Sequence, residues 1–125
     1  MTGSSTRIDT INRVLRNLTT ENPDIHAAAL VSDDGLLLAS ALPRHVEEQR
    51  VGGMSATLLA LGERAVNELA LGRTQQVLIK GENGYVVLST AAQGTVLLLL
   101  TSANAKLGLV FLDMGRAVQQ IASVL

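Results

Sequence analysis

The sequence contains no cysteine, and this absence excludes several kinds of chemistry. Disulfides, thiol nucleophiles, iron–sulfur clusters and cysteine zinc sites all need that side chain. The absence fits a protein of a reducing compartment, so we expect this protein to work in the cytoplasm. The two histidines, His26 and His45, have no acidic or histidine neighbour at a metal-ligand spacing. The sequence therefore predicts no metal site.

Aromatic side chains and net charge are also scarce. The chain has one Tyr, one Phe and no Trp, and ten Lys and Arg residues against eleven Asp and Glu residues give a formal net charge of −1. A nearly neutral chain has no electrostatic attraction to a phosphate backbone or an anionic membrane. Nucleic-acid bases would also find almost no rings on which to stack. We therefore predict no nucleic-acid partner.

Long apolar runs are missing as well. The longest apolar stretch, Val96–Leu100, is far shorter than the roughly 20 residues that span a bilayer. The first five residues, Met-Thr-Gly-Ser-Ser, lack the charged and then apolar pattern of a secretory signal. The sequence therefore predicts neither secretion nor insertion into a membrane.

What the chain does contain is the composition of a folded domain. Of its 125 residues, 47% are hydrophobic and 17% are charged. A chain of this length can bury about two-thirds of its surface on folding, which is enough for a core without disulfides or metals. We predict one domain over residues 1–125, with residues 1–5 flexible.

Hydrophobic periodicity and turn residues predict three helices and five strands in the order α-β-β-α-β-β-β-α. Apolar positions spaced by three and four residues indicate the helices, and apolar runs bounded by Asp-Gly, Asn-Gly or Gly indicate strands joined by tight turns. The predicted elements are a first helix capped by Thr6 and ending at Asn22, strands at Ile25–Ser32 and Leu36–Leu42, a long helix from about Val46 to Leu71, strands at Thr74–Lys80, Tyr85–Thr90 and Thr95–Thr101, and a last helix capped by Asn104 and running to Leu125.

The predicted strands indicate how these elements pack. Runs such as Leu36–Leu38 and Val96–Leu100 do not alternate between polar and apolar residues, so both faces of the sheet should be covered. We predict an α/β fold of the α+β kind, with an antiparallel sheet and helices on both faces. The first and last helices share one face, and the long middle helix takes the other.

The middle helix carries more apolar positions than one buried face needs. One row contains Val51, Met54, Leu58, Leu61 and Ala65, and the other contains Leu59, Val66, Leu69 and Ala70. Two rows mean two buried faces, or one face on the core and one on a partner. Gly52, Gly53 and Gly62 lower the helix propensity by up to about 1 kcal/mol each, and the close approach of another backbone would explain them.

The sequence shows no motif for catalysis or cofactor binding. It lacks a P-loop, a Gly-x-Ser-x-Gly elbow and a His-Glu-x-x-His zinc motif. Asp33 and Asp34 could belong to a metal site, but their place in a predicted turn explains both residues. Arg50, Arg64 and Arg73 could each act as an arginine finger on a nucleotidase, although a solvated arginine is the commoner role. We therefore predict that the protein is not an enzyme and needs no cofactor.

Four segments in the right order and spacing carry a resemblance to a known family. They are the hairpin Val31–Leu36, the helical segment Leu58–Ala65, the hairpin Gly81–Leu88 and the opening of the last helix, Ala105–Val110. In these segments the chain resembles the roadblock family over nearly its whole length. That family includes dynein roadblock light chains, Ragulator-type scaffold subunits and bacterial MglB-type regulators of small Ras-like GTPases.

The resemblance implies a profilin-like roadblock fold with five antiparallel strands in the order 2-1-5-4-3. It also implies a homodimer in which the third strands pair edge to edge and the middle helices pack side by side, forming a platform for a small Ras-like GTPase. The residues that we expect at this dimer or partner interface are Met54, Ala56, Leu58, Ala60, Leu61, Ala65, Gln75, Val77 and Ile79.

Three functions remain open at this point. The resemblance favours a homodimeric regulator of a bacterial small Ras-like GTPase, which activates or binds it. A second possibility is a scaffold or adaptor that binds a partner without changing GTP turnover. A third is a small-molecule sensor, although the sequence shows no convergent polar pocket. Regulators of the MglB type are expected to reposition residues of the GTPase itself, so no motif in this chain could prove that activity.

Overall fold

The structure, a computed structural model, describes residues 3–125 as three helices packed on one sheet, and the predicted order of elements is confirmed. The elements are α1 (Gly3–Glu21), β1 (Ile25–Ser32), β2 (Leu37–Ala41), α2 (Glu48–Glu68), β3 (Gln76–Gly81), β4 (Gly84–Ala91), a 3₁₀ turn (Ala92–Gly94), β5 (Thr95–Ser102) and α3 (Leu107–Ala122). Of the segment 1–5 that we expected to be flexible, residues 1 and 2 lie outside the described residues, and α1 begins at Gly3.

The five strands form one antiparallel sheet in the order β2-β1-β5-β4-β3, as the family resemblance implied. The two most buried strands, β1 and β5, lie in the middle, and β2 and β3 form the two edges. Buried side chains fill both faces of the central strands. The predicted fold class is confirmed.

Each face of the sheet has its own apolar core. On one face α1 and α3 pack against alternate strand residues, including Leu97 and Leu99 of β5. On the other face α2 packs against the intervening residues, including Val96 and Leu98. Consecutive strand residues point to opposite faces, so in a strand that is covered on both sides the residues of both faces are apolar. The predicted division of the helices between the two faces is confirmed.

Two predicted helix caps are wrong. Helix α1 begins at Gly3, so Thr6 lies inside the helix rather than at its start. Helix α3 begins at Leu107 after Lys106, which makes no side-chain cap hydrogen bond. Asn104 instead lies in a turn, closed by the N–H of Ala105 donating to the carbonyl of Ser102 at 3.3 Å. Asparagine is favoured in turns as well as at caps, and here the chain uses it to leave β5.

Helix α2 is shorter than predicted, because it ends at Glu68 and not near Leu71. Its end is a Schellman motif, in which the N–H of Leu71 donates to the carbonyl of Val66 at 2.8 Å and that of Ala70 to Asn67 at 3.2 Å. Ala70 takes the left-handed conformation, with φ +56°, that usually falls to glycine. The 21 residues of α2 span about 31 Å instead of roughly 40 Å.

The β1–β2 turn positions the start of α2. Gly35 in this turn has φ +94°, so the positive φ that its Asp-Gly sequence predicts is present. Gly52 of α2 lies directly against it, and a Cβ atom at Gly52 would overlap the carbonyl oxygen of Gly35. The expected close approach of another backbone is therefore present at Gly52, and that backbone belongs to the same chain.

Candidate functional site

Strand β3 leaves one side of its backbone open. It pairs with β4, and no strand within residues 3–125 lies along its other side. The N–H of Thr90 donates to the carbonyl of Gln75 at 3.1 Å. In an antiparallel pair every second residue is hydrogen-bonded to the neighbouring strand, so the backbone groups of residues 75, 77, 79 and 81 bond to β4. The N–H and C=O groups of Gln76, Leu78 and Lys80 consequently point away from the sheet.

The side chains of this edge are apolar on both faces. Val77 and Ile79 lie opposite Leu88 and Val86 of β4, on the face that α2 covers, and Leu78 lies on the other face. Ile79 is 41% exposed and Leu78 is 45% exposed. Large apolar side chains on both faces of an open strand edge indicate a surface that another molecule covers.

One flank of α2 continues this apolar edge. Met54, Leu58, Leu61 and Ala65 follow each other at helical spacing along that flank. Leu58 packs partly buried into the cluster that includes Val77, whereas Leu61 is 62% exposed. We call the combined strip the edge surface; it consists of Met54, Leu58, Leu61, Ala65, Val77, Leu78 and Ile79.

Gly62 allows α2 to lie this close to β3. A Cβ atom at Gly62 would come within 2.8 Å of Cγ2 of Val77. The helix flank and the strand edge therefore meet without a gap, because no side chain separates them at this point. A partner that pairs with β3 would also contact the flank of α2.

The structure divides the predicted interface residues into groups. Ala56 and Ala60 lie on the opposite flank of α2, and the Cβ of Ala56 is 3.6 Å from where a Cβ atom at Gly35 would lie. Gln75 lies just before β3, with its carbonyl bonded to Thr90. The remaining predicted residues all belong to the edge surface. Sequence reasoning missed Leu78, although the unbroken apolar run from 77 to 79 was a signal that both faces of β3 are covered.

Several of the polar residues that sequence reasoning considered make local contacts. Arg50 pairs with Glu47 at 2.8 Å and Arg64 with Glu68 at 3.0 Å, both on the exposed surface of α2. The Ser32 hydroxyl donates to Asp34, inside the β1–β2 turn. Over the part of the chain that the structure describes, no three metal-ligating side chains come together.

One open cleft lies beside the last turns of α2, between this helix, the residues before β3 and the end of β4. It has a volume of about 420 Å³, and its polar lining includes Glu63, Asn67, Arg73 and Thr74. Among the described residues, Arg73 forms no ion pair within 4 Å, in contrast to the two arginines on α2. The cleft can accept a small polar or charged group beside the first residues of β3.

Among residues 3–125, every helix is too short or too polar to cross a bilayer. The exposed faces of α1 and α2 carry charges of both signs. The apolar edge surface departs from this mixed pattern.

Comparison with known proteins identifies the family and the fold. The family model of the Roadblock/LC7 domain matches residues 11–101. The uncharacterized protein MJ1340 of Methanocaldococcus jannaschii is 35% identical over 114 residues, which cover 91% of this chain and 98% of that relative. Among solved structures, Myxococcus xanthus MglB superposes with a TM-score of 0.86 at 19% identity, covering 94% of this chain and 88% of MglB.

The same architecture extends to profilins. LokiProfilin1, solved in a complex with rabbit actin, matches with a TM-score of 0.61 at 13% identity, covering 94% of this chain and 97% of that chain. At such low identity the likeness concerns the fold alone. The expected profilin-like arrangement of three helices and five strands is confirmed.

Proposed function

Because this chain belongs to the Roadblock/LC7 family, we propose that it is a homodimeric, non-catalytic regulator of a small Ras-like GTPase. In this proposal residues 1–125 form a single roadblock domain that works in the cytoplasm without a cofactor. The observation that carries it is the edge surface, which is apolar, continuous and open.

The open edge of β3 supports a homodimer. A second copy can supply a strand for the outward groups of Gln76, Leu78 and Lys80, and its own α2 flank then lies beside this one. An isologous pairing uses the same surface on both copies, so each apolar contact occurs twice. A stable interface of this kind buries about 800 Å² on each partner.

The paired α2 helices support a platform for the GTPase. Leu61 lies at the outer rim of the apolar flank and is its most exposed large side chain. Two such residues, one from each copy, would remain accessible above the seam between the helices. Exposed apolar groups beside polar residues are typical of a partner site.

The arginines of α2 support a non-catalytic role. Arg64 pairs with Glu68 on the same helix, Arg50 pairs with Glu47 just before the helix, and both arginines are exposed. The resemblance to MglB-type regulators implies that such a protein acts by positioning residues of the GTPase. We propose the same mode here, with binding to the GTP state preferred.

The experiment is GTP hydrolysis by the cognate GTPase with and without this protein. Faster hydrolysis in the presence of the wild-type dimer supports the proposal. Tight binding without a change in rate would assign the protein to the scaffold class instead. The absence of binding to any GTPase encoded nearby would overturn the functional proposal, while the fold would stand.

A further inference from the structure

The outward backbone groups of β3 restrict how two copies of this edge can join. Across a twofold axis, outward-facing residues must meet one another, because the residues between them are already bonded to β4. A pairing centred on Leu78 uses every outward position of the strand, with Gln76 opposite the partner's Lys80 and Leu78 opposite its own copy. Moving the axis to Val77 or Ile79 leaves one outward position of each strand without a partner.

The side chains agree with this register. It places Val77 opposite the partner's Ile79 on the face covered by α2, so apolar side chains of the two copies contact each other. On the other face the half-exposed Leu78 lies beside its copy. An axis through Lys80 would instead bring two equal charges together, which is unfavourable.

The same register brings opposite charges together beyond the ends of the strands. Gln75 continues the ladder with Thr90, and it would lie opposite the partner's Gly81. The next step places the partner's Glu82, at the tip of the β3–β4 turn, beside Thr74 and Arg73. Both Arg73 and Glu82 are exposed, and in residues 3–125 neither forms an ion pair.

The surroundings of Arg73 leave room for this contact. Arg73 is exposed and has no ion-pair partner among the described residues, so its guanidinium can turn toward an incoming carboxylate. Glu63 lines the same open cleft as Arg73 but lies more than 4 Å from the Arg73 nitrogens, since no ion pair joins them in the described part of the chain. An Arg–carboxylate pair can be bidentate, which would fix the geometry of the strand ends.

We propose that two copies of this chain pair their β3 strands in the register centred on Leu78, and that Arg73 of each copy binds the partner's Glu82. The proposal rests on the proposed homodimer and adds the register and the ionic contacts that select it. Because the axis repeats every contact, one Arg73 and one Glu82 meet at each end of the paired strands.

The absence of cysteine makes the register directly measurable, because introduced cysteines are the only thiols in the protein. Leu78→Cys places two thiols on the axis, where facing Cα atoms are about 5.5 Å apart, within the range for a disulfide. Val77→Cys or Ile79→Cys alone places the copies about 8 Å apart, beyond that range. The double variant Val77→Cys/Ile79→Cys again brings thiols opposite each other.

After mild oxidation, non-reducing electrophoresis should show covalent dimers for Leu78→Cys and for the double variant, and little for either single variant at 77 or 79. A covalent dimer from Val77→Cys or Ile79→Cys alone, or none from both Leu78→Cys and the double variant, would overturn the register. Light scattering of the wild-type protein separates this failure from failure of the dimer, because a wrong register leaves the mass of a dimer intact.

Charge reversal tests the ionic contact. Arg73→Glu or Glu82→Arg alone should raise the dimer Kd about tenfold, since two surface pairs become two repulsions. The double variant Arg73→Glu/Glu82→Arg should return to within about threefold of wild type. Arg44→Glu, an exposed arginine in the loop between β2 and α2, controls for net charge and should leave the Kd unchanged. A double variant as weak as the single ones would overturn the contact.

Discussion

The two edge strands of the sheet differ in how regularly they pair with their neighbours. Strand β2 has five residues and an irregular register, because Leu38 is an extra residue between the pairs Ala39–Leu30 and Leu37–Val31. Strand β3 has six residues that pair with β4 in unbroken register. A bulge hinders the pairing of an edge strand with a further strand, whereas a regular edge allows it.

The helices repeat this difference. At the β2 edge, α1 packs against Ala39 and Ala41, and α2 docks through Gly52 onto the turn that precedes the strand. At the β3 edge, α2 leaves Ile79 partly exposed, and Leu78 is half open on the other face. Both edges keep exposed apolar side chains, including Leu36 and Leu38 at β2. The difference between them lies in the bulge of β2 and the regular pairing of β3, which favours β3 as the edge for a second molecule.

Proline in the two edges should give the largest difference. Leu78→Pro removes an N–H that points outward at the centre of the proposed pairing. Because the dimer has twofold symmetry, each copy loses one hydrogen bond to its partner. We expect the dimer Kd to rise more than a hundredfold, about 2.7 kcal/mol, measured by sedimentation. Leu38→Pro, in the bulge of β2, is the matched change at the other edge and should keep the dimer.

Val77→Pro separates the edge from the fold. The N–H of Val77 faces Leu88 in the ladder with β4, so proline there leaves a buried carbonyl without its donor. We expect a loss of about 1–3 kcal/mol in the free energy of unfolding, from chemical denaturation. Equal unfolding free energies for Val77→Pro and Leu78→Pro would contradict the assignment of the outward groups.

The contact between the β1–β2 turn and α2 can be tested at Gly35. A valine there would have to adopt a positive φ and would press on the carbonyl of Gly52 and on Ala56. We expect Gly35→Val to cost about 1–3 kcal/mol in thermal or chemical unfolding. Gly53→Ala, at an exposed helix position with open space around it, is the control and should not destabilise the protein. An unchanged melting midpoint for Gly35→Val would show that the turn does not hold α2.

The open edge can be tested separately as a partner surface. Leu61→Arg places a charge at the rim of the edge surface and should weaken GTPase binding at least tenfold, about 1.4 kcal/mol. Leu112→Arg makes the same change at an exposed site on α3, on the other face of the sheet, and should have no effect. Calorimetric titration of the GTPase gives both values, and equal losses would place the partner elsewhere.

The loop that leads from α2 to the open edge offers a smaller test. Ala70→Gly removes the penalty of a Cβ atom in the left-handed conformation and should stabilise the protein by about 1 kcal/mol. The dimer Kd should stay the same, because the residue lies outside the edge surface. A lower melting temperature would show that Ala70 makes contacts that outweigh its strain.

The smallest effect is expected for Arg64→Ala. Its partner Glu68 lies on the same exposed helix surface, so the lost pair is worth little. Stimulated GTP hydrolysis should slow only modestly, whereas the loss of an arginine finger costs about a thousandfold or more. A loss of that size in a single-turnover assay would overturn the non-catalytic role.

The sequence could predict the order of elements and the faces of the helices because these follow from local periodicity. Runs such as Val96–Leu100 reveal a strand covered on both sides without any knowledge of its neighbours. The end of α2 could not be predicted, because an alanine occupies the position at which glycine is the usual signal.

The candidate site was predictable only in part. The apolar rows of α2 pointed to a partner, but which flank faces β3 depends on how Gly52 docks against Gly35, a contact between distant residues. Ala56 and Ala60 were therefore grouped with residues of the opposite flank. Leu78 was missed because the interface prediction took alternate residues, Gln75, Val77 and Ile79, on one face of β3, although the apolar run from 77 to 79 indicates that both faces are covered.

Light scattering of the wild-type protein at tens of micromolar tests most directly whether the β3 edge is kept open for a second copy. One chain has a mass of 13.1 kDa, and a molecule that covers this edge with its own copy should have twice that mass. A mass of one chain would contradict the proposal, because the apolar edge surface would then face water in the free protein.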